Sequence, residues 1–352
     1  MKRRYRMGID IGSTTAKVVL VSGEDIIFSD YRRHHTETLA TLELILGQAC
    51  QQLGEIELSL LVTGSAGMGI SEICNLPFIQ EVVASAEVVH QRYPQVNTLI
   101  DIGGEDAKMI FFDEQSRPDI RMNGNCAGGT GAFIDEMANL LNVSLTDLDS
   151  LAAKHTHVYP MASRCGVFAK TDLQNLLSRD VPQEDIAASV FNAIVLQTLA
   201  TLSRGYDPCP AVLFCGGPLT FLSSLRRAFM NVMNLTPGEI QDVENGQFLP
   251  AYGAALAETD TRREISISGL MNLLHSIRSN HHPEQHRLKP LFKGSPDFQN
   301  WEKLRKKQTV ERIDLRYLED RDCFLGVDSG STTTKVVLID ESGQLAFDYY
   351  SN

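Results

Sequence analysis

Residues 7–21 read Met-Gly-Ile-Asp-Ile-Gly-Ser-Thr-Thr-Ala-Lys-Val-Val-Leu-Val, an apolar strand that enters a small, hydroxyl-rich turn and returns as apolar strand. Such a hairpin ends one strand on a carboxylate, Asp10, and exposes backbone N–H groups and hydroxyls in its turn. The pattern recurs at 325–339, at a constant offset of 318 and with ten of fifteen positions identical. Repetition over that length marks a duplicated domain. The expected organisation is a first domain over 5–257 and a polar linker over 258–322, where periodicity fades but a helix fits near 266–278. Over 323–352 a second copy begins, and about thirty of its residues are present, which reads as a fragment of a longer chain.

Two further glycine turns leave apolar strands. Asp101-Ile102-Gly103-Gly104-Glu105-Asp106 follows a strand at 97–102 and precedes a return strand at 107–112, and Cys215-Gly216-Gly217-Pro218 follows a strand at 211–215. Helical spacing marks segments near 36–53, 80–91, 133–141, 171–179, 184–203 and 219–230, with another from Pro250. Phosphates need N–H donors free of side-chain obstruction, so two hairpins facing each other would clamp a triphosphate. Gly12, Ser13, Thr14 and Thr15 would act from one side with Lys17, and Gly103, Gly104, Asp106 and Lys108 from the other. Asp10, Asp101 and Glu105 become the candidate catalytic carboxylates, with Asp10 and Asp101 placed to hold Mg²⁺ or to order the attacking water. Gly216 and Gly217 would let an adenosine approach the backbone.

These three turns, in this order and strand context, resemble the actin/Hsp70/sugar-kinase superfamily. The implied class is an α/β, ribonuclease H-like, two-lobed ATPase fold. Cys126 and Cys165 each precede an expected helix, in Asn-Gly-Asn-Cys-Ala-Gly-Gly-Thr-Gly and Ala-Ser-Arg-Cys-Gly-Val-Phe. Both segments resemble the cysteine motifs of the ATP-dependent activators of 2-hydroxyacyl-CoA dehydratases and of the related ATPase subunits of benzoyl-CoA reductase. The likeness covers about 5–257. It implies Cys126 and Cys165 as metal ligands, two of the four thiolates that a [4Fe-4S] cluster shared between two activase domains requires. The domains would meet as a homodimer or as a tandem pseudo-dimer. Gly128, Gly129, Thr130 and Gly131 are implied near the ATP. The implied activity is ATP-driven, low-potential electron transfer to a CoA-ester dehydratase or reductase in an anaerobic setting, with ferredoxin or flavodoxin as donor. A rival from another class is a small-molecule, sugar-type kinase of the same fold.

A formal net charge of −12 argues against nucleic acid as the main partner. No apolar run follows the basic start at Met1–Arg6, and the apolar stretch 186–202 is interrupted by Asn192 and Gln197. A cytoplasmic protein without a membrane span is therefore expected. Cys50, Cys74, Cys209, Cys215 and Cys323 read as core thiols. The pairs His34–His35, His155/His157 and His281–His282 read as solvated surface.

Overall fold

In a computed structural model the chain divides into two compact units, Met1–His281 and His282–Asn352. The described residues are 5–23, 25–112, 118–123, 128–162, 166–259, 262–280, 289–319, 321–329 and 333–351. Cys126, Cys165, His281 and His282 lie outside them.

The first unit begins with strands β1 (Tyr5–Ile11), β2 (Thr15–Ser22) and β3 (Asp25–Arg33), then helix α1 (Thr38–Leu53) and strand β4 (Glu57–Thr63). Helices α2 (Gly67–Cys74) and α3 (Glu81–Arg92) follow. The plan then repeats with β5 (Thr98–Ile102), β6 (Ala107–Phe111) and β7 (Asp119–Asn123). Helices α4 (Gly131–Leu141), α5 (Leu145–Ala152), α6 (Gly166–Ser178) and α7 (Gln183–Leu202) lead to β8 (Val212–Cys215). Next come α8 (Gly217–Phe221), α9 (Ser223–Val232), β9 (Ile240–Gln241) and α10 (Leu249–Leu256). In each half two antiparallel pairings are followed by a parallel strand: β2 and β4 flank β1, and β6 and β8 flank β5. That duplication is the two-lobed ribonuclease H-like ATPase fold.

The expected helix at 219–230 is two helices, α8 and α9, broken at Leu222. The apolar stretch 186–202 lies within α7, which is long and apolar enough to cross a membrane. Here it is a core helix, packed against α5 and α9 with Phe191, Ile194 and Val195 buried in the second lobe.

Helices α3 and α10 fill the space between the two sheets. Ala251 and Ala255 of α10 pack on β1 and β2, while Leu249 and Leu256 join Val88 and Val89 of α3 beneath β5 and β8. The contacts are backbone to backbone. A Cβ at Gly8 in β1 would collide with the Ala251 carbonyl oxygen, and one at Gly253 in α10 with the Ala84 carbonyl oxygen of α3. No bulkier residue fits either position without separating the layers.

Part of the segment read as linker belongs to the first lobe. Strand β10 (Arg263–Ser266) pairs antiparallel with β4, and α11 (Ile267–Asn280) packs on α1 with Ile267, Leu270 and Leu274 buried. The side chain of Arg262 donates to the carbonyls of Ala254, Ala255 and Ala257, closing the C-terminal end of α10. Burial lowers this guanidinium to about 10.

The second unit carries α12 (Ser295–Lys306) and a sheet of β11 (Cys323–Ser329), β12 (Thr334–Asp340) and β13 (Leu345–Ser351). Its register repeats that of the first hairpin at the offset of 318: Asp328 faces Lys335 as Asp10 faces Lys17. Each lysine lies 2.6 Å from its aspartate. A register shift falls at Leu338/Ile339 in one sheet and at Leu20/Val21 in the other. Leu325 and Val327 are exposed where their counterparts Met7 and Ile9 are buried.

The close approaches predict opposite outcomes for two glycine substitutions. Gly253→Ala should destabilise the first unit by about 1–3 kcal/mol through overpacking. Gly69→Ala, in α2 with open space around it, should stabilise it by about 0.5–1 kcal/mol. Urea unfolding of both variants checks the sign; equal effects would contradict the backbone contact.

Candidate functional site

The two halves place two matching turns face to face. Asp10-Ile11-Gly12 with Ala16-Lys17, and Asp101-Ile102-Gly103 with Ala107-Lys108, share residues and spacing. They also share geometry: Gly12 N–H donates to Thr15 O at 2.9 Å, and Gly103 N–H to Asp106 O at 2.8 Å. Each strand pair sets the aspartate opposite its lysine. The turns touch, since a Cβ at Gly104 would run into the Thr14 hydroxyl.

A second pair of glycines completes the symmetry. Gly64 after β4 and Gly216 after β8 have φ of +95° and +84°. A Cβ at Gly64 would meet Asp10 Oδ1 and the Ile11 carbonyl, and one at Gly216 would meet Asp101 Oδ1 and the Ile102 carbonyl. These glycines let the parallel strand's exit loop lie directly over each carboxylate. The role of Gly216 is thus set by Asp101 as much as by any ligand.

Asp10 and Asp101 are almost wholly buried. Asp10 Oδ2 accepts from Lys17 Nζ at 2.6 Å, while its Oδ1 has no partner among the described residues. Asp101 lies 3.9 Å from Lys108 Nζ, which is also held by Glu81 at 2.9 Å and Asp106 at 3.0 Å. Burial pushes the Asp10 carboxyl up against the opposing pull of Lys17. It raises Asp101 to about 6, with Lys108 opposing and Glu81 and Asp106 adding to the rise. Burial alone would lower the Lys108 ammonium, but Asp101, Glu81 and Asp106 more than reverse this, so it stays charged. The orphaned Asp10 oxygen suits a divalent cation or its ligand waters.

A cleft of about 60 Å³ is lined by Thr14, Thr15, Lys17, Asp101, Gly103, Gly104, Gly131, Gly216 and Gly217, together with Tyr31, Arg33 and Gln247. Most of the expected phosphate and adenosine residues therefore meet in one place. Ser13, Glu105, Asp106 and Lys108 line a larger neighbouring cleft of about 320 Å³, whose far wall is Met68, Phe78, Val82, Ile120 and Met122. Glu81 borders both. Glu105 is exposed at the turn's tip, away from the smaller cleft.

The segment 128–131 divides between two surroundings. Gly129, at φ +86°, packs on Gln197 and Thr198 of α7, and Thr130 is the buried N-cap of α4. Gly131 and Ala132 donate their N–H groups to the carbonyls of Gly103 and Gly104 at 2.9 and 2.7 Å. Helix α4 is thereby tied to the second phosphate-type turn. Among the described residues no group of three or more His, Cys, Asp or Glu is placed to hold a metal.

Several site residues escape the motifs. Glu81 opens α3 with no glycine beside it, and Gln247 carries a buried Oε1 without a partner among the described residues. The signal that could have found their neighbourhood is the internal Asp-Ile-Gly-x-x-x-Ala-Lys repeat at 10–17 and 101–108. His34, read as solvated surface, is instead buried under the first turn: Nδ1 accepts from Thr36 N–H at 3.2 Å, so Nε2 carries the proton and donates to Gly12 O at 3.1 Å. Of the five cysteines read as core thiols, Cys74 and Cys215 are buried, Cys50 is half-buried, and Cys209 and Cys323 are exposed. The last two follow a polar loop and begin an uncovered strand, so no core forms around them.

Asp101 predicts a pH effect. Its carboxyl keeps a proton up to about 6 in the fold, against 3.8 as the ordinary value. Its contribution to stability is thus present below the ordinary value and is lost as pH rises through 6. Asp101→Asn should therefore become progressively more favourable, relative to the native chain, between pH 4 and pH 7. Urea unfolding across that range checks this, and a pH-independent difference would refute the raised carboxyl.

Residues 7–257 match the BadF/BadG/BcrA/BcrD ATPase family. The 2-hydroxyisocaproyl-CoA dehydratase activator of Clostridioides difficile is 32% identical over 265 residues, covering 74% of this chain and 97% of that protein. The (R)-2-hydroxyglutaryl-CoA dehydratase activating ATPase of Acidaminococcus fermentans is 31% identical over 204 residues, covering 57% and 78%. The crystal structure of (R)-2-hydroxyglutaryl-CoA dehydratase component A from Acidaminococcus fermentans superposes with a TM-score of 0.63 at 28% identity, over 72% of this chain and 96% of that one. The Clostridium difficile 2-hydroxyisocaproyl-CoA dehydratase activator with bound ADPNP gives 0.61 at 28%, over 80% and 100%. With paired carboxylate turns, a shared cleft and a match across 7–257, the chain belongs to the BadF/BadG/BcrA/BcrD ATPase family.

Proposed function

We propose that this protein is an ATP-hydrolysing activator that drives low-potential electron transfer to a CoA-ester dehydratase or reductase. The observation that carries the reading is the backbone tie between α4 and the turn at 103–104. Any shift of that turn on phosphate binding or loss pulls the N-terminus of α4, the helix that follows the Cys126 segment.

ATP would lie in the cleft between the two turns, as ADPNP is bound in a relative. Lys17 and the N–H groups of both turns meet its phosphates. Asp10, with its orphaned oxygen, and Asp101 would hold Mg²⁺, which supplies charge neutralisation at the phosphates. Glu81, held by Lys108 at the border of both clefts, is positioned to orient the attacking water. Cys126 and Cys165 would provide two thiolates of a [4Fe-4S] cluster, and a second activase domain the other two. That cluster supplies one-electron chemistry, with ferredoxin or flavodoxin as donor.

The repeat at 323–351 supports a tandem arrangement, since its hairpin copies the register of 5–22. A second copy of the chain would serve equally in a homodimer. The kinase reading fares worse because the relatives that match most of the chain are dehydratase activators.

Anaerobic purification, iron and sulfide analysis and ATPase assay test the reading. Cys126→Ser and Cys165→Ser should each abolish bound iron while ATP binding persists. Asp101→Asn should lower kcat by about 10²-fold or more with iron retained. A colourless chain that phosphorylates a sugar would sink the activator assignment.

A further inference from the structure

Arg33 and Asp135 make a contact that neither the motifs nor the proposed chemistry uses. Arg33 ends β3 and sits opposite Thr15 in the β2–β3 ladder, so its side chain starts beside the first turn. It crosses the cleft to α4, where Nη1 donates to Asp135 Oδ2 at 3.0 Å and Nη2 to Oδ1 at 3.2 Å. Both residues line the smaller cleft. The pair therefore joins the lobe of the first turn to the helix tied to the second.

The cleft that this pair spans is small. Its volume of about 60 Å³ falls well short of the roughly 300 Å³ or more that small-molecule sites occupy. Thr14 and Gly104 already touch across it. A nucleotide enters only if the two turns separate, which stretches the Arg33–Asp135 bonds. A guanidinium fork fits a phosphate as well as a carboxylate, and a polyphosphate carries the larger charge. Arg33 is 49% and Asp135 32% exposed at the side chain, so the first is free to swing and the second can be left to water at little cost.

We propose that Arg33 is a nucleotide-binding residue that exchanges partners, holding Asp135 across the closed cleft and gripping the polyphosphate when nucleotide is bound. The exchange releases α4 from the first lobe at the moment ATP binds. The inference rests on the ATPase reading of the cleft, and it adds a route by which nucleotide occupancy reaches α4.

Binding of ADPNP and of adenosine to the full chain tests the exchange, by calorimetry, with unfolding midpoints as a control for folding. Arg33→Ala should weaken ADPNP about tenfold and leave adenosine unchanged, the loss of a charged hydrogen-bonded contact. Asp135→Asn should tighten ADPNP about threefold, because it frees the arginine in advance. Arg33→Lys, which keeps the charge without the fork, should fall between native and Arg33→Ala. Effects of the same sign in Arg33→Ala and Asp135→Asn would mark a merely structural ion pair and overturn the exchange. So would unchanged ADPNP binding in Arg33→Ala. A native chain that binds no ADPNP would overturn the ATPase reading itself.

Discussion

Helix α10 lies against β1 with no side chain between them at Gly8, and against α3 with none at Gly253. Everything at the site depends on that spacing. Because α3 and α10 form one thin layer shared by both sheets, the carboxyl ends of β1 and β5 emerge close together. That is the edge at which open α/β sheets place ligands. A methyl group at either glycine would thicken the layer and part the turn at 12–15 from the turn at 103–106.

Burying a carboxylate at each turn creates an electrostatic problem that the fold solves locally. Removal from water raises both carboxyls. Lys17 and Lys108 stand opposite them through strand register, and Glu81 enters from α3 to complete the charge balance on Lys108. One oxygen of Asp10 is left without a partner among the described residues.

Coupling to the rest of the chain is built from backbone as well as side chains. Two N–H groups of α4 hang on the carbonyls of Gly103 and Gly104, and His34 braces the opposite turn through Gly12. Each phosphate-type turn thus has a rigid neighbour that must follow it. Such stiff connections let small displacements at a ligand reach a distant element intact.

Strand β1, the turns at 10–15 and 101–106, the buried strand β8 and the long helix α7 were all legible in the chain, because glycine, carboxylate and apolar runs are local signals. So was the hairpin at 325–339, whose register the repeat alone implied. Strands β3 and β7 were not legible, since edge strands such as Asp25–Arg33 carry charge on the face turned to solvent and lose their alternation. Helix α11 was legible as a helix near 266–278, but not its place in the first lobe, since its three buried residues only make sense once α1 lies beside them. Residue types and spacing marked the groups of the two turns as candidates for phosphate; they could not say that Glu81 and Arg33 line the same cleft. Those two come from elements with no motif of their own, and only the meeting of α3, β3 and α4 across the cleft decides what they touch.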